Sequence, residues 1–525
     1  MSLREHTATD QVSEQNAPIG AEPTGPEMWG HPKGLFYLFF AELWERFSFY
    51  GMRALLVLYM VQELLYSDTI AFGIYAAYGA LVYATPVIGG MVADKLLGYR
   101  RAIMLGSVLM ALGHFALAIE HPLFFYGALA LLIVGNGFFK PNISTLVGTL
   151  YKQGDARRDA GFTIFYMGIN IGAMVAPLVC GYLGVTFGWH YGFAAAGIGM
   201  LFGLIMFWNG SRSGVFGSNG LAPDPVAVKE RVAGISRGAW VPLLTILSLP
   251  FFGILLFHGT LDLPGLGITE FNGHLIDYVL YYALLPVIAL VLIYNLVKVD
   301  KVERHRLFVV ILLTFFITVF WSFFEQAGSS LTLFAERNVN LTFLNAAQTN
   351  SINPFFIVLF ALPFSAMWVF LSKLRMNPFT PVKFALGIAQ LGFGFLIFAW
   401  SGNFADAEGR VSIWFLILGY LFITTGELFI SPVGLSKVTE LSPKKIVAFI
   451  MGVWFLSSSF AHHIAGIIAK LTSVSGSGEG GDVSALASLA VYTSVFEQIA
   501  YVAFGFAVLA LLLTPLMRKW MHGIH

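Results

Sequence analysis

The sequence predicts an all-α polytopic membrane protein, and three observations carry that expectation. Of its 525 residues, 57% are hydrophobic and only 11% charged, with a mean hydropathy of +0.76. A soluble chain of this length has no core large enough to hide so much apolar surface, so lipid must be the solvent for the excess. From Leu35 onward, apolar stretches of about twenty residues, the length that crosses a bilayer as a helix, alternate with short polar breaks. Finally, the basic residues are concentrated in every second break.

Taken in order, the spans fall at about 35–62, 69–93, 101–119, 123–145, 160–182, 187–209 and 240–258, then 275–297, 307–336, 349–372, 382–401, 411–435, 447–472 and 489–517. That makes fourteen. The basic residues test the count independently. Lys95, Arg100 and Arg101 follow the second span, and Lys152, Arg157 and Arg158 the fourth. Arg212, Lys229, Arg231 and Arg237 follow the sixth, and Lys298, Lys301, Arg304 and Arg306 the eighth. Lys373, Arg375 and Lys383 follow the tenth; Lys437, Lys444 and Lys445 follow the twelfth. The opposite breaks hold only Arg337, Arg410 and Lys470. Positive charge stays on the cytoplasmic side, which predicts both termini inside and an even number of spans.

Residues 1–32 are polar and rich in Glu, Gln, Thr and Pro, too polar for a signal peptide, and predict a disordered cytosolic tail. Residues 33–210 then form an N-terminal six-helix bundle, 211–300 a linker with two extra helices, and 301–518 a C-terminal six-helix bundle. The glycine-rich stretch at 210–238 looks like a hinge between bundles. A net charge of +1 offers no basic field for nucleic acid. Cys180, the single cysteine, excludes an internal disulfide and a cysteine metal cluster, and no metal or cofactor is called for. The 55 glycines suit membrane helices that pack closely through small residues.

An ionisable group at membrane depth costs a few kcal/mol, so each needs a reason. Arg46, Arg53 and Lys140 are the Lys and Arg residues deep within spans, and the matching acids are Glu42, Glu45, Glu325 and Glu427. In the first span Glu42, Glu45 and Arg46 stand at i, i+3 and i+4 and share one helical face, which Phe49, Tyr50 and Arg53 continue. Such a stripe belongs on a polar interior, as a buried ion-pair ladder or as working machinery. The distribution favours machinery. The first half carries a surplus of positive charge and the second half carries Glu325 and Glu427, a polarity that suits a zwitterion. Carboxylates with exchangeable cationic partners also make a proton carrier.

The residues also carry a family resemblance. Glu42-Leu-Trp-Glu45-Arg46-Phe47-Ser-Phe49-Tyr50-Gly51 resembles the ExxERFxYYG signature of the proton-coupled oligopeptide transporters, a branch of the major facilitator superfamily. Phe49 departs from the usual Tyr. Phe165-Tyr166-Met-Gly-Ile169-Asn170-Ile-Gly172 is similar to the second signature, FYxxINxG, and Gly90–Gly98 to the superfamily's loop motif between spans two and three. The resemblance extends over nearly all of residues 33–517. It implies two six-helix bundles rocking around a central site, with two extra helices between them as in many bacterial members, in a bacterial inner membrane.

By that resemblance, Glu42, Glu45, Arg46, Lys140 and Glu325 serve proton coupling, and Arg53 with Glu325 closes a gate across the bundles. Asp94 serves the cytoplasmic gate. Arg46, Tyr50, Arg53, Tyr83, Lys140, Asn170, Asn353, Glu427, Ser431 and Trp454 line the peptide site, with Glu427 toward the peptide amino terminus. The cargo implied is di- and tripeptides, the coupling ion is the proton, and oligomeric state is left open. Animal members have a His seven residues before the Tyr83 position; here it is Ala76, which excludes a relay at that place. His114, His462 and His463 match nothing in the family and read as structural. The alternatives are a proton-coupled carrier of nitrate, an amino-acid derivative or a drug-like anion; a passive channel; and a membrane enzyme, for which no GxSxG or HExxH motif appears in a span.

Overall fold

A computed structural model describes residues 26–152, 155, 157–263, 267–272, 275–443, 446–474 and 484–524. Among the described residues, thirteen helices are long and apolar enough to cross a membrane. In chain order with the helix that precedes them they are α1 (Lys33–Gln62), α2 (Asp68–Leu97), α3 (Tyr99–Leu117), α4 (Phe124–Thr149), α5 (Arg157–Phe187), α6 (Trp189–Arg212) and α7 (Arg237–Leu256). The series continues with α8 (Val279–Lys298), α9 (Lys301–Asn338), α10 (Gln348–Lys373), α11 (Thr380–Phe404), α12 (Ile413–Leu441), α13 (Phe449–Lys470) and α14 (Ala485–Trp520). The fourteenth long helix is α1, which carries Glu42, Glu45, Arg46 and Arg53 and is wrapped by α5 and α6 instead of facing lipid along its length.

Local chemistry sets several boundaries. The Asp300 carboxylate accepts from the Glu303 backbone N–H at 2.8 Å and starts α9, and Ser236 does the same for α7 through Ala239 at 3.3 Å. Gly98 takes φ of +73° between α2 and α3, where a β-carbon would also overlap the Leu221 carbonyl. The helices pack where side chains are smallest. Gly106 lies against Gly135 and Gly387 against Gly426, so paired backbones approach within van der Waals contact.

Helix α1 packs on α5 and α6, α3 on α4 and α6, and α2 on α4. In the other half, α11 packs on α12 and α14, while α9 reaches α12, α13 and α14. Helices α7 and α8 bury little of their surface; α7 leans on α4. The halves meet through α2 against α13, α5 against α10, and α1 against the end of α9. These contacts gather at one end. Thr69 donates to Ser473 at 3.0 Å, and Gln348 Nε2 and Asn345 Nδ2 donate to the Leu178 and Gly181 carbonyls at 3.0 Å each. Toward the other end, Ile88 and Met91 of α2, Tyr166 and Met167 of α5, and Phe455 of α13 are exposed. The molecule is sealed at the end bearing the α1–α2, α9–α10 and α13–α14 connections and splayed at the opposite end.

Three details depart from the sequence expectation. Helix α9 does not run evenly: a 3₁₀ turn at Glu325–Gly328 interrupts it. Residues 26–32 form a short hairpin clipped to the first half, with Arg157 Nη1 on Glu27 at 2.8 Å and His31 on the Tyr151 hydroxyl at 2.9 Å; residues 1–25 lie outside the described residues. Beside that clip, hydrogen bonds from Arg157 hold the Asp155 carboxyl below its usual range. The expected hinge at 210–238 is not a free coil either. Phe216 is buried against Gly34, and Arg100 donates to the Gly217 and Asn219 carbonyls at 2.5 and 2.7 Å, so its first part is tied to α1 and α3. Lys444 and Lys445, used to assign the twelfth break, lie outside the described residues.

Candidate functional site

The i, i+3, i+4 spacing on α1 does place three charges together. Arg46 Nε stands 3.4 Å from Glu42 Oε1, and the same guanidinium pairs with Glu45, with Nη2 to Oε1 at 2.5 Å. All three side chains are shielded, at no more than 1% exposure. The second signature explains how α5 can close over them. Any side chain at Gly172 would meet the Leu43 carbonyl and Arg46 Cβ, so only glycine lets α5 lie this close to α1. Phe49 keeps the ring contact expected of that position, 5.0 Å from the Arg46 guanidinium, without a hydroxyl. Lys140, from α4, reaches into the same region. Its ammonium feels the charges of Arg46, Glu42 and Glu45 and lies 5.8 Å from the Tyr83 ring.

Further along α1, Arg53 forms an ion pair with Glu325 of α9 and so joins the halves. The Arg53 Nε donates to the Tyr75 hydroxyl at 2.5 Å. Tyr50 stands between the two α1 arginines, 6.0 Å from Arg46 and 5.9 Å from Arg53. Glu325 sits where the 3₁₀ turn breaks α9, and Gly328 in that turn lies directly against the Tyr75 ring and Arg53, with no room for a β-carbon. Glycine at this position therefore lets the turn that carries Glu325 lie against Tyr75 and Arg53.

On the facing wall, Asn353 of α10 donates to Glu427 Oε2 at 3.1 Å and to Thr424 Oγ1 at 3.0 Å. Glu427 is 8% exposed, and among the described residues no Lys or Arg is placed in an ion pair with it. Ser431, one helical turn on, leaves its Oγ buried without a hydrogen-bond partner. Trp454 of α13 packs against Gly434. Asn170 is buried but spends its amide on its own helix, donating to the Tyr166 carbonyl at 3.0 Å. Asp94 is exposed in a π-helical turn at the end of α2 and is not brought to the others.

The structure also brings in residues that the sequence expectation left out. Tyr75 was unassigned, although a span tyrosine eight residues from Tyr83 could have raised the question. His462 was read as structural; it lies 3.4 Å from Glu325 Oε2 and its ring centre is 4.7 Å from that of Tyr83. Position 76 holds alanine, as the sequence shows, while His462 is brought into this region from α13. The list of acids at membrane depth also omitted Glu497, which faces outward on α14 and accepts from the Tyr501 hydroxyl at 2.8 Å.

The site thus joins a positive cluster on one half, a carboxylate on the other that is hydrogen-bonded to Asn353 and placed in no ion pair among the described residues, and a cross-half ion pair between them. Comparison with known proteins bears on this directly, since the POT family model matches residues 100–483. The chain belongs to the POT family. Among its relatives, peptide transporter YePEPT of Yersinia enterocolitica is 35% identical, covering 94% of this chain and 96% of that protein. Dipeptide and tripeptide permease B of Xenorhabdus bovienii is 32% identical over 94% of this chain and 97% of its own length. A crystal structure of a peptide transporter POT in complex with alafosfalin is 34% identical and superposes with a TM-score of 0.79, covering 95% of this chain and 97% of that one. The fold and the transporter class of this POT chain follow; it is not an enzyme.

Proposed function

We propose that the chain is a proton-coupled symporter that imports di- and tripeptides by alternating access around a central site between its two halves. The observation that carries this is the opposed charge across the halves of a POT-family chain: Arg46, Arg53 and Lys140 on one side, Glu427 on the other. A peptide's carboxylate meets the first wall and its ammonium meets Glu427 and Asn353. Tyr50, Tyr83 and Trp454 bound the space between, and Asn170 and Ser431 supply polar contacts.

In this reading both termini are cytoplasmic in a bacterial inner membrane, the sealed end faces outward and the splayed end faces the cytosol. Residues 33–210 and 301–518 move as the two bundles, with 211–300 between them. The Arg53–Glu325 pair is the outer gate, and Asp94 belongs to the inner one. Glu42, Glu45, Arg46, Lys140 and Glu325 form the coupling set, in which a carboxylate stays ionised while its cationic partner is held and takes a proton when the partner is withdrawn. The gradient supplies about 1.4 kcal/mol per pH unit and about 2.3 kcal/mol per 100 mV for each charge moved.

The test is uptake of labelled di- and tripeptides into proteoliposomes under an imposed inward proton gradient. Accumulation that collapses with a protonophore is expected. Peptide entry no faster than into empty vesicles refutes the cargo, and uptake of nitrate or another amine-free anion in its place would identify the rival. Accumulation that survives the protonophore refutes the coupling.

A further inference from the structure

His462 is an imidazole beside Glu325 that the proposed coupling set does not use, and its surroundings are specific. It stands on α13, 5% exposed, where α13 crosses α2. Its ring lies flat on Gly79, where a methyl group would overlap it, so the sequence keeps a glycine on α2 to admit the imidazole. The Nδ1 atom is 2.9 Å from the Ser458 carbonyl oxygen. A carbonyl can only accept, so Nδ1 carries the proton. In the neutral ring, Nε2 is then a lone pair. That lone pair is 3.4 Å from Glu325 Oε2, an atom that also only accepts when ionised. Two acceptors facing each other gain nothing from the arrangement, and a proton placed on Nε2 would turn the contact into an ion pair.

Among the described residues, the ionisable groups at the ring come from three other helices. Glu325 comes from α9, Arg53 from α1 behind Glu325, and Tyr83 from α2 lies against the ring at 4.7 Å. Lys140 from α4 lies on Tyr83 at 5.8 Å. His462 is thus the link between the cross-half pair and the Lys140 end of the first-half cluster. As drawn, Arg53 neutralises Glu325, and His462 stands by without a proton. When the sealed end opens, Arg53 leaves with the first half, and Glu325 would be left as a buried charge without its cation. His462 belongs to the same half as Glu325 and stays beside it.

We propose that His462 is a proton-carrying partner of Glu325, exchanging with Arg53 during the transport cycle. In the outward-open state a proton from outside binds the Nε2 lone pair, and the imidazolium pairs with the Glu325 carboxylate. On closure Arg53 recaptures Glu325, and the Nε2 proton is released toward Lys140 and the cytosolic opening. One proton enters and one leaves at this step, and Glu325 stays ionised through it because the imidazolium replaces the withdrawn guanidinium, so His462 takes the proton that the coupling set otherwise assigns to that carboxylate. This rests on the proposed proton-coupled cycle but assigns it a carrier in the second half.

The test compares wild type with His462→Gln and with Gly79→Ala, which pushes the ring away from α2 while keeping it. Peptide counterflow at equal pH reads the cycle without net proton movement. Counterflow within about twofold of wild type, with gradient-driven accumulation down about tenfold and a flattened dependence on external pH from 5.5 to 7.5, is expected for both. Unchanged pH dependence overturns the proposal, and so does a parallel loss of counterflow and accumulation, which marks a packing residue. Nitrogen-15 imidazole NMR of the whole protein gives a readout that survives poor insertion of the variants. In wild type locked open at the outer end by a nanobody or crosslink, the His462 signal should show Nε2 protonated at pH 6; a neutral Nδ1–H ring there refutes the assignment. If wild type itself does not accumulate peptide, the transport reading fails while the NMR result still decides the role of His462.

Discussion

Asp68 and Arg337 give the most direct measure of what holds the outer end shut. Arg337, near the end of α9, donates from Nη1 to Asp68 Oδ2 and from Nη2 to Oδ1, both at 2.7 Å, across the two halves. The Asp68 side chain is fully buried and Arg337 is 13% exposed, so this is a desolvated, bidentate pair and not a surface contact. Breaking one partner of such a pair costs about 3–5 kcal/mol. Asp68→Asn belongs at the low end. Arg337 keeps the Tyr492 hydroxyl at 3.2 Å, and the amide oxygen can still accept from the Val474 N–H that now lies at 3.3 Å. The pair exists only while the outer end is sealed, so nearly all of a loss of about 3 kcal/mol falls on that state. That shifts the population by about 100-fold toward outward-open. The assay is the distance between spin labels at Glu63→Cys and Thr342→Cys, both exposed on opposite sides of the seal, with the buried Cys180 unreactive. A longer distance should dominate in Asp68→Asn and retreat when Arg337 is changed to Asp in an Asp68→Arg background. A distribution that superposes on wild type would show that the pair is incidental to closure.

Two further changes separate coupling from cargo recognition. Glu45→Gln and Lys140→Ala should each abolish gradient-driven uptake while retaining some counterflow, less in Lys140→Ala because it also removes a contact to the peptide carboxylate; full accumulation in both removes them from the coupling set. Glu427→Gln should weaken binding by about tenfold, in line with the loss of a charge-assisted contact of about 1.5 kcal/mol, and should do so for peptides with a free amino terminus more than for amino-blocked ones. Equal losses for the two classes, measured by competition against a labelled dipeptide, would take the amine away from Glu427.

The membrane fold was legible because lipid imposes a pattern with few solutions. A helix must satisfy its own backbone and span a fixed thickness, so thirteen spans and their approximate limits could be read from apolar length, while the charged first span rested also on the alternation of basic breaks. The α1 cluster was legible for a similar reason: Glu42, Glu45 and Arg46 meet through helical spacing, which is local. What escaped depends on contacts between segments far apart in the chain. The 3₁₀ turn at Glu325 escaped because its Gly328 packs on Tyr75 and Arg53, both far from it in sequence. The order of residues 26–32 depends on Arg157 and Tyr151. Glu497 was passed over because an acid in a long span looks like any other until its outward face is known. The surroundings of His462 escaped because only the packing of α13 on α2 and α9 shows what faces its Nε2.

Glu325 is where these threads join, and its position explains why a carboxylate serves better there than a neutral hydrogen-bonding residue. A neutral side chain could accept from Arg53 and hold the gate, but it would lose little when the gate opened. An ionised one makes the open state costly unless another cation arrives, since a buried unpaired charge is strongly penalised. In the proposed cycle the gate therefore cannot open empty at no cost; it would open when a proton, delivered next to Glu325, replaces the departing guanidinium. Turning Glu325 into Gln tests that logic. The outer end should then open without a proton, counterflow should persist, and accumulation should become insensitive to the gradient. If Glu325→Gln still concentrates peptide in proportion to an imposed pH difference, the carboxylate is a latch alone and the proton acts elsewhere, at the Glu42–Glu45–Lys140 end.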